Sequence, residues 1–563
     1  MNAVESRWRH EKSTVYARSG MVAAGHRLAA RAGVRMLAEG GNAIDAAVAA
    51  GFAVGVAEPW MNGIGGSGAM VIHHQGTQVA IEFGVNAPQL ATPDMYSFDA
   101  GVPPLGQWGW PPIKDRENEL GCRSVGVPGL VAGLCLAHRL LGKLPLPIVM
   151  ESAIELAEDG FEVDWHSALL IGFHLEQLIR FPDTCRTFLR DGKYVPLPGF
   201  VASPAERIVQ KDLAATLRVI ARLGHEGFYR GEIAGMISES VIGGGGLITR
   251  DDLASYEPKL YQGGLRGTYR DVEVIGVPGA TGSPILQQIL NVIEGFDIAA
   301  LGSASPTTLH ILAEACRRAY EDHFAHATDP DFGASPLDGL TSKEYAQALS
   351  REIQLDKATQ GPAAVDPSAF TRSTSRAGHT THVCAVDGER NGVTITQTHG
   401  MLFGSTVTVP GTGILLNDMM AVFDPRPGHT QSIAGGKRQA APYTPAVLLK
   451  GGRLFGVVGA PGGRRIPTAI AQVVSNLVDH KMGIQDAIAA PRLHSESKLV
   501  EVDDRFDHET LNQLRAIGHE VIEESKTVAS FNFANPLGIV VDPDGDLAGG
   551  TDPCMPSAAV GLM

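Results

Sequence analysis

Thr380-Thr381-His382 begins a β-prone run that continues through Val383-Cys384-Ala385-Val386-Asp387, and Thr398 closes a second threonine-bearing run shortly after it. A threonine hydroxyl is a poor nucleophile at neutral pH and needs a base at its side. An α-amine on the same residue is one way to provide it. Such an amine titrates near pH ~8, so much of it is close to the neutral form under cellular conditions. An internal threonine has no such amine. The chemistry these residues could perform is acyl transfer to a threonine, and it requires that the chain first cut itself between His379 and Thr380.

Two hairpins must position these groups. Val393-Thr394-Ile395-Thr396-Gln397-Thr398 alternates with period two, and Asp387-Gly388-Glu389-Arg390-Asn391-Gly392 before it carries two glycine-containing turn dipeptides. If Val386 pairs near Gly392, Thr380 pairs near Thr398 and their side chains share one face. The Thr398 hydroxyl could then hydrogen-bond to the nucleophile; a one-residue slip would move it to the opposite face. Further on, Val447-Leu448-Leu449 and Leu454-Phe455-Gly456-Val457-Val458 read as strands around a Gly451-Gly452 turn. Gly462-Gly463 falls just past a strand end and before Ile466, Ile470, Val473, Val474 and Leu477 at helical spacing. Backbone N–H groups in such a loop can face a developing oxyanion. One lost donor of that kind typically costs about 10²–10³ in rate.

Further motifs accompany these. They are Gly40-Gly41-Asn42-Ala43-Ile44-Asp45-Ala46-Ala47-Val48-Ala49, Gly63-Ile64-Gly65-Gly66-Ser67-Gly68, Val127-Pro128-Gly129, and Gly246-Leu247-Ile248-Thr249 with Asp251-Asp252-Leu253. After them come Asp329-Pro330-Asp331-Phe332, Thr380-Thr381-His382, Gly413-Ile414-Leu415-Leu416-Asn417 and Gly459-Ala460-Pro461-Gly462-Gly463 with Arg465-Ile466. In this order, from about Tyr16 to about Asp552, the chain resembles the γ-glutamyltransferase family of N-terminal nucleophile hydrolases. The resemblance implies an α+β fold, the four-layer αββα sandwich of two stacked sheets between helical layers. It also implies a single unit over residues 1–563, cut into a large piece, 1–379, and a small piece, 380–563. Thr380 would be the nucleophile, Thr398 its assistant, and Gly462 and Gly463 the oxyanion-hole amides. No metal or organic cofactor is implied.

The departures concern recognition of a glutamyl head group. Where the resemblance implies an arginine for the α-carboxylate, this chain has Gly84 in Phe83-Gly84-Val85-Asn86-Ala87-Pro88. Val422 stands in place of an acid for the α-amine, Met419 of a glutamine, Gly400 of an asparagine, and Ala441-Pro442 of a serine pair. Two lost contacts of about 3 kcal/mol each amount to on the order of 10⁴ in transition-state binding. Poor activity on glutathione is expected, and the pattern is similar to the cephalosporin-acylase-like branch of the family. Asn86, His399 or Arg464 could hold another polar group. A small amide is the expected substrate. The alternatives are a true γ-glutamyl hydrolase or transpeptidase and an unprocessed relative that only binds a ligand.

Composition fits one large globular unit. The 563 residues are 44% hydrophobic and carry no long Ser/Gly or Pro-rich linker; Thr249 with Asp252 reads as a capping box. A formal charge of −15 disfavours nonspecific nucleic-acid or anionic-membrane binding, so the expected partners are the small amide and the chain's own two pieces, in one pair or a dimer of pairs. Cys122, Cys135, Cys185, Cys316, Cys384 and Cys554 show no metal or redox spacing and read as free thiols. Asp322-His323 with His326 could offer metal ligands on a helix, but with no further ligand evident a solvated helix face is the reading. The Gly63–Gly68 run lacks the Lys-Ser/Thr of a P-loop and reads as structural turns; Ser67 lies outside a G-x-S-x-G elbow. The first twelve residues have charges but no apolar core, and the run from Ala46 to Ala57 is too short to cross a bilayer, so a cytoplasmic enzyme is expected.

Overall fold

Alternation along the strand His379–Asp387 decides the layering. Val383 and Ala385 point into a core shared with the helices Arg27–Ala38, Ala43–Ala57 and Leu130–Leu141, whereas Cys384 and Val386 point into a second core between two sheets. The structure, a computed structural model, describes residues 10–99, 101, 109–359, 379–528, 530 and 532–563. Most of the N-terminal segment considered for a signal, residues 1–9, lies outside the described residues.

Each of the two central sheets has seven strands. The first runs, edge to edge, Ala558–Leu562, Gly20–Ala24, His379–Asp387, Gly392–Gly400, Ser67–His74, Thr77–Phe83 and Lys259–Gln262. The second runs Val15–Ala17, Leu547–Thr551, Leu537–Val541, Arg453–Gly459, Ala446–Lys450, Val272–Gly276 and Leu265–Tyr269. Every pairing within them is antiparallel. The second sheet packs its outer face on the helices Ser283–Ile293, Pro306–His326, Arg465–Val478 and Ile484–Ala489. The result is the expected four-layer αββα sandwich.

Local signals were legible. Asn42 and Thr249 each form a capping box, with Asp45 and Asp252 as the reciprocal acids. The helix Ala43–Ala57 is buried on every side, which explains its all-round apolar sequence, and among the described residues no helix is long and apolar enough to cross a membrane. All six cysteines are free, and Cys384 sits in the inter-sheet core.

The stretches before and after His379 are interleaved. Gly20–Ala24 pairs on one side with His379–Asp387 and on the other with Ala558–Leu562; Ser67–His74 pairs with Gly392–Gly400, Val272–Gly276 with Ala446–Lys450, and Val15–Ala17 with Leu547–Thr551. A cut before Thr380 would therefore leave two pieces sharing both sheets.

Candidate active site

Val386 pairs with Gly392 and the ladder keeps that register to Thr381 opposite Gln397; then His379 pairs with Gly400. Thr380 thus faces two residues, Thr398 and His399, across a β-bulge, a device common beside active sites. Thr380 and Thr398 are both buried, on the same side of the sheet as His382, Cys384, Thr394 and Thr396. The hydroxyl of Thr398 has partners other than Thr380, the one expected. It donates to the carbonyl oxygen of His379 at 2.6 Å, and the N–H of Gly400 donates to Thr398 Oγ1 at 2.8 Å. The bulge causes this, because it swings the His379 carbonyl over the Thr398 side chain. A relay of two donors therefore ends on the carbonyl of the bond proposed to break.

His382 locks the strand behind Thr380. Thr394 donates its hydroxyl to the Val458 carbonyl at 3.2 Å, so it accepts from His382 Nε2–H at 2.8 Å, and His382 Nδ1 accepts from Thr396 at 3.0 Å. Burial pushes the imidazole down to about 3, so it stays neutral and holds this tautomer. Because Val458 belongs to the other sheet, the network also fixes where Arg453–Gly459 lies. Leu454 and Val457 pack against Gly392, Cys384 reaches the Val457 carbonyl, and Gly459 abuts His382. The chain thus advances along the facing strand toward Thr380, and Pro461-Gly462-Gly463 continues it to the same end. Gly462 has φ 144° and Gly463 φ 59°, and a β-carbon on Gly462 would collide with Ala534. The helix Arg465–Val478 starts directly after, with Ile466, Ile470, Val473, Val474 and Leu477 buried as their spacing implied.

A family model described as Gamma-glutamyltranspeptidase matches residues 29–562. The chain belongs to the gamma-glutamyltranspeptidase family. It is 37% identical over 541 residues to the "Acylase ACY 1 proenzyme" of Pseudomonas sp. (strain SE83), covering 96% of this chain and 93% of that one. It is 35% identical over 559 residues to the "Glutathione hydrolase proenzyme" of Escherichia coli (strain K12), covering 96% and 91%. Among solved structures, the cephalosporin acylase from Bacillus halodurans superposes with a TM-score of 0.84 at 28% identity, over 100% of this chain and 99% of that one.

Three of the positions at which the resemblance implied a glutamyl contact, Met419, Val422 and Ala441, fall in one cluster. Val85, Met419, Val422, Ala441 and Tyr443 share the apolar inter-sheet cluster with Cys384. Gly400, with φ 109°, leaves no room for a side chain: a β-carbon there would run into Asp418 Oδ1 and lie 2.9 Å from Met419 Sδ. At Gly84 the space beside the backbone is taken by Arg438, whose guanidinium donates to Asn86 Oδ1 at 2.9 Å and to the carbonyls of Glu82 and Glu257 at 3.2 and 2.8 Å. Asn86 is thereby engaged in structure. His399 is fully buried and held neutral by burial, down to about 3, and Arg464 pairs with Glu496 at 3.0 Å. None of the three polar candidates offers an unencumbered charge for a glutamyl head group.

Two buried acids escaped sequence reasoning. Glu58, at the end of the helix Ala43–Ala57, accepts a hydrogen bond from Thr381 at 2.8 Å, on the helix side of the strand His379–Asp387; burial raises its carboxyl to about 7. Asp418 accepts from the Met401 N–H at 2.9 Å with one oxygen while the other has no partner, and burial raises it well above the usual range. Glu58 lies 323 residues from Thr381, so no local pattern could announce the contact.

The helical Asp322 is tied to Gln288 and Tyr345 and His323 is partly covered, so this is not the solvated face expected; His326 alone is exposed. A different trio, His310, Glu314 and His519, lies close together. There His310 Nδ1 and His519 Nε2 share a hydrogen bond of 2.7 Å, and Glu314 is already paired with Arg318 and Thr359. The Gly63–Gly68 run is structural: β-carbons on Gly65 and Gly66 would strike the carbonyls of Leu415 and Thr398.

Proposed function

We propose that the chain is a proenzyme that cuts its own His379–Thr380 bond and then, through Thr380, hydrolyses or transfers the acyl group of a small amide less polar than a γ-glutamyl amide. The hydrogen bond from Thr398 to the His379 carbonyl carries the reading. Attack of Thr380 Oγ1 on the His379 carbonyl carbon would break the C–N bond, form an ester between the two residues and pass the hydroxyl proton to the departing nitrogen. The negative charge developing on the His379 oxygen would fall on the Thr398 hydroxyl, itself oriented by Gly400 N–H. Water would then hydrolyse the ester, leaving a His379 carboxylate and a Thr380 that bears both amine and hydroxyl.

In turnover the freed amine would accept the proton of Thr380 Oγ1 as it attacks the substrate carbonyl. The N–H groups of Gly462 and Gly463 would receive the oxyanion, and the leaving amine would depart with a proton from the Thr380 ammonium. Water or a second amine would then release the acyl group. The acyl preference rests on the apolar cluster of Val85, Met419, Val422 and Ala441, which would leave a charged glutamyl head unpaired at a cost of several kcal/mol. The names of the acylase relatives point the same way.

The test has two parts. Denaturing electrophoresis of purified protein should give two bands, which a cut before Thr380 in the 59.4 kDa chain places at about 40 and 19 kDa. A single band after long incubation overturns the proposal. Side-by-side assay of a γ-glutamyl anilide and a simple acyl anilide then tests the pocket. Preference for the γ-glutamyl compound would favour the glutathione hydrolase reading, which the 35% identical Escherichia coli relative represents.

A further inference from the structure

The wall of the oxyanion loop holds a polar group that the fold leaves unused. The N–H of Asn535 donates to the Pro461 carbonyl at 2.9 Å, extending the ladder in which Gly459 pairs with Leu537. The strand begins at Leu537, whose side chain lies in the inter-sheet core, and its alternation carried back through the Asn535–Pro461 bond assigns Asn535 to the same face, toward the strand of Thr380. Its side chain is 2% exposed, and neither Nδ2 nor Oδ1 has a hydrogen-bond partner. Leaving both ends of a buried carboxamide unpaired forfeits the hydration of each group with nothing in return. Asn417 shows the ordinary case, with Nδ2 on the carbonyls of Gly65 and Gly126 and Oδ1 taking two backbone N–H groups. Among the described residues Asn62 is the other asparagine with both ends unpaired, and it sits on the helix side of the sheet, against Gly55.

The segment that carries Asn535 is anchored from behind by charge. Arg492 donates to the Phe533 carbonyl at 3.3 Å and Lys526 to the Ala534 carbonyl at 3.4 Å, and both cations are buried against Asp552, whose N–H donates to the Pro536 carbonyl at 3.0 Å. The backbone carbonyls of Phe533 and Ala534 before Asn535, and of Pro536 after it, are thus held in place. Ala534, in turn, packs directly on Gly462. The unpaired carboxamide is pre-positioned beside the oxyanion loop, as specificity groups are.

We infer that Asn535 is a specificity-determining residue of the acyl site, and that it binds a neutral amide carried by the acyl group through Nδ2–H and Oδ1 together. This deepens the proposed acyl-Thr380 chemistry and rests on it. The choice of ligand follows from complementarity. A substrate carboxylate would pair the donor and leave Oδ1 against a negative charge; an ammonium would do the reverse to Nδ2. An alkyl chain would leave both unpaired. A carboxamide or peptide group presents one acceptor and one donor and satisfies both. The substrate class is therefore a diamide, such as an ω-carbamoyl acyl amide or a short peptide-like compound.

The test uses three anilides of equal reach: glutaramoyl, ending in a carboxamide; glutaryl, ending in a carboxylate; and hexanoyl, ending in a methyl group. Wild-type protein is expected to show kcat/KM at least about tenfold higher on the glutaramoyl compound than on either other, since a polar site rejects analogues that leave it unpaired. Asn535→Leu should lose that advantage, chiefly through KM. Asn535→Asp, which keeps the shape and removes the donor, should lose it as well and is read if the Leu variant fails to fold. Undiminished glutaramoyl preference in a self-cleaved variant, or a wild-type preference for hexanoyl or glutaryl, overturns the role of Asn535 and leaves the proenzyme reading intact. Wild-type protein that neither cuts itself nor acquires acyl mass on Thr380 overturns both.

Discussion

Thr398→Val is the sharpest perturbation of the proposed self-cleavage. The replacement keeps the branched shape and β propensity but deletes one O–H. It removes the donor at 2.6 Å from the His379 carbonyl and strands the Gly400 N–H that Thr398 now accepts. The first loss bears on the transition state. A single oxyanion donor is worth about 10²–10³ in rate, or roughly 2.7–4 kcal/mol of barrier. The second bears on the ground state, at about 1–3 kcal/mol for an unpaired group in a buried strand. Precursor freshly purified and incubated at constant pH should therefore convert to two bands 10²–10³ times more slowly than wild type, with the fraction cut followed by densitometry and mass spectrometry. Thr398→Ser, which restores the donor, should recover most of the rate. If Thr398→Val cuts itself within about threefold of wild type, the hydrogen bond to His379 has no part in the reaction and the reasoning fails.

Thr380→Ala should remain one band indefinitely and show no turnover; normal cleavage in it would remove Thr380 from its role. Val422→Asp, the single change that would supply an acid for a glutamyl amine, should lower thermal stability without raising γ-glutamyl turnover, because it places a carboxylate in the apolar inter-sheet cluster; a gain in that turnover would refute the packing argument. Glu58 gives a pH signature. Its carboxyl titrates at about 7 folded against the ordinary 4.5, so the folded chain retains a proton that the unfolded chain releases above pH ~4.5. Stability from this group is full below pH ~4.5 and falls by about 3 kcal/mol as pH rises to about 7. Urea unfolding of the uncut Thr380→Ala chain at pH 5 and 8, with and without Glu58→Gln, should show that slope vanish in the Gln variant; equal slopes would mean the Glu58 proton does not matter.

The elements around the site were readable because each has a local cause. The turn Asp387–Gly392, the capping boxes at Asn42 and Thr249, and the periodic helix after Gly463 all follow from neighbours within a few residues. The register of the Thr380 hairpin also follows, as far as Thr381 opposite Gln397. It fails at the last step. A bulge depends on what packs against both strands, so the change in the partner of Thr398, from Thr380 to the His379 carbonyl, could not be seen. The solvated face expected at Asp322 failed for a related reason. Gln288 and Tyr345, which cover it, come from other helices.

Sequence alone pointed to the type of chemistry proposed: a threonine behind the bond proposed to break, a second threonine at the pairing distance, two glycines past a strand end, and no charged residue at the positions where the resemblance implied a glutamyl contact. Those are statements about residue identity at short range, and identity is all that a linear pattern carries. The tertiary structure decided who meets whom. The Glu58–Thr381 contact, the Asp418 carboxyl that forces glycine at position 400, and the Asn535 backbone bonded to Pro461 join segments far apart in the chain. They exist only because two sheets face each other and bury polar groups together, where an unpaired donor or charge becomes costly enough to matter.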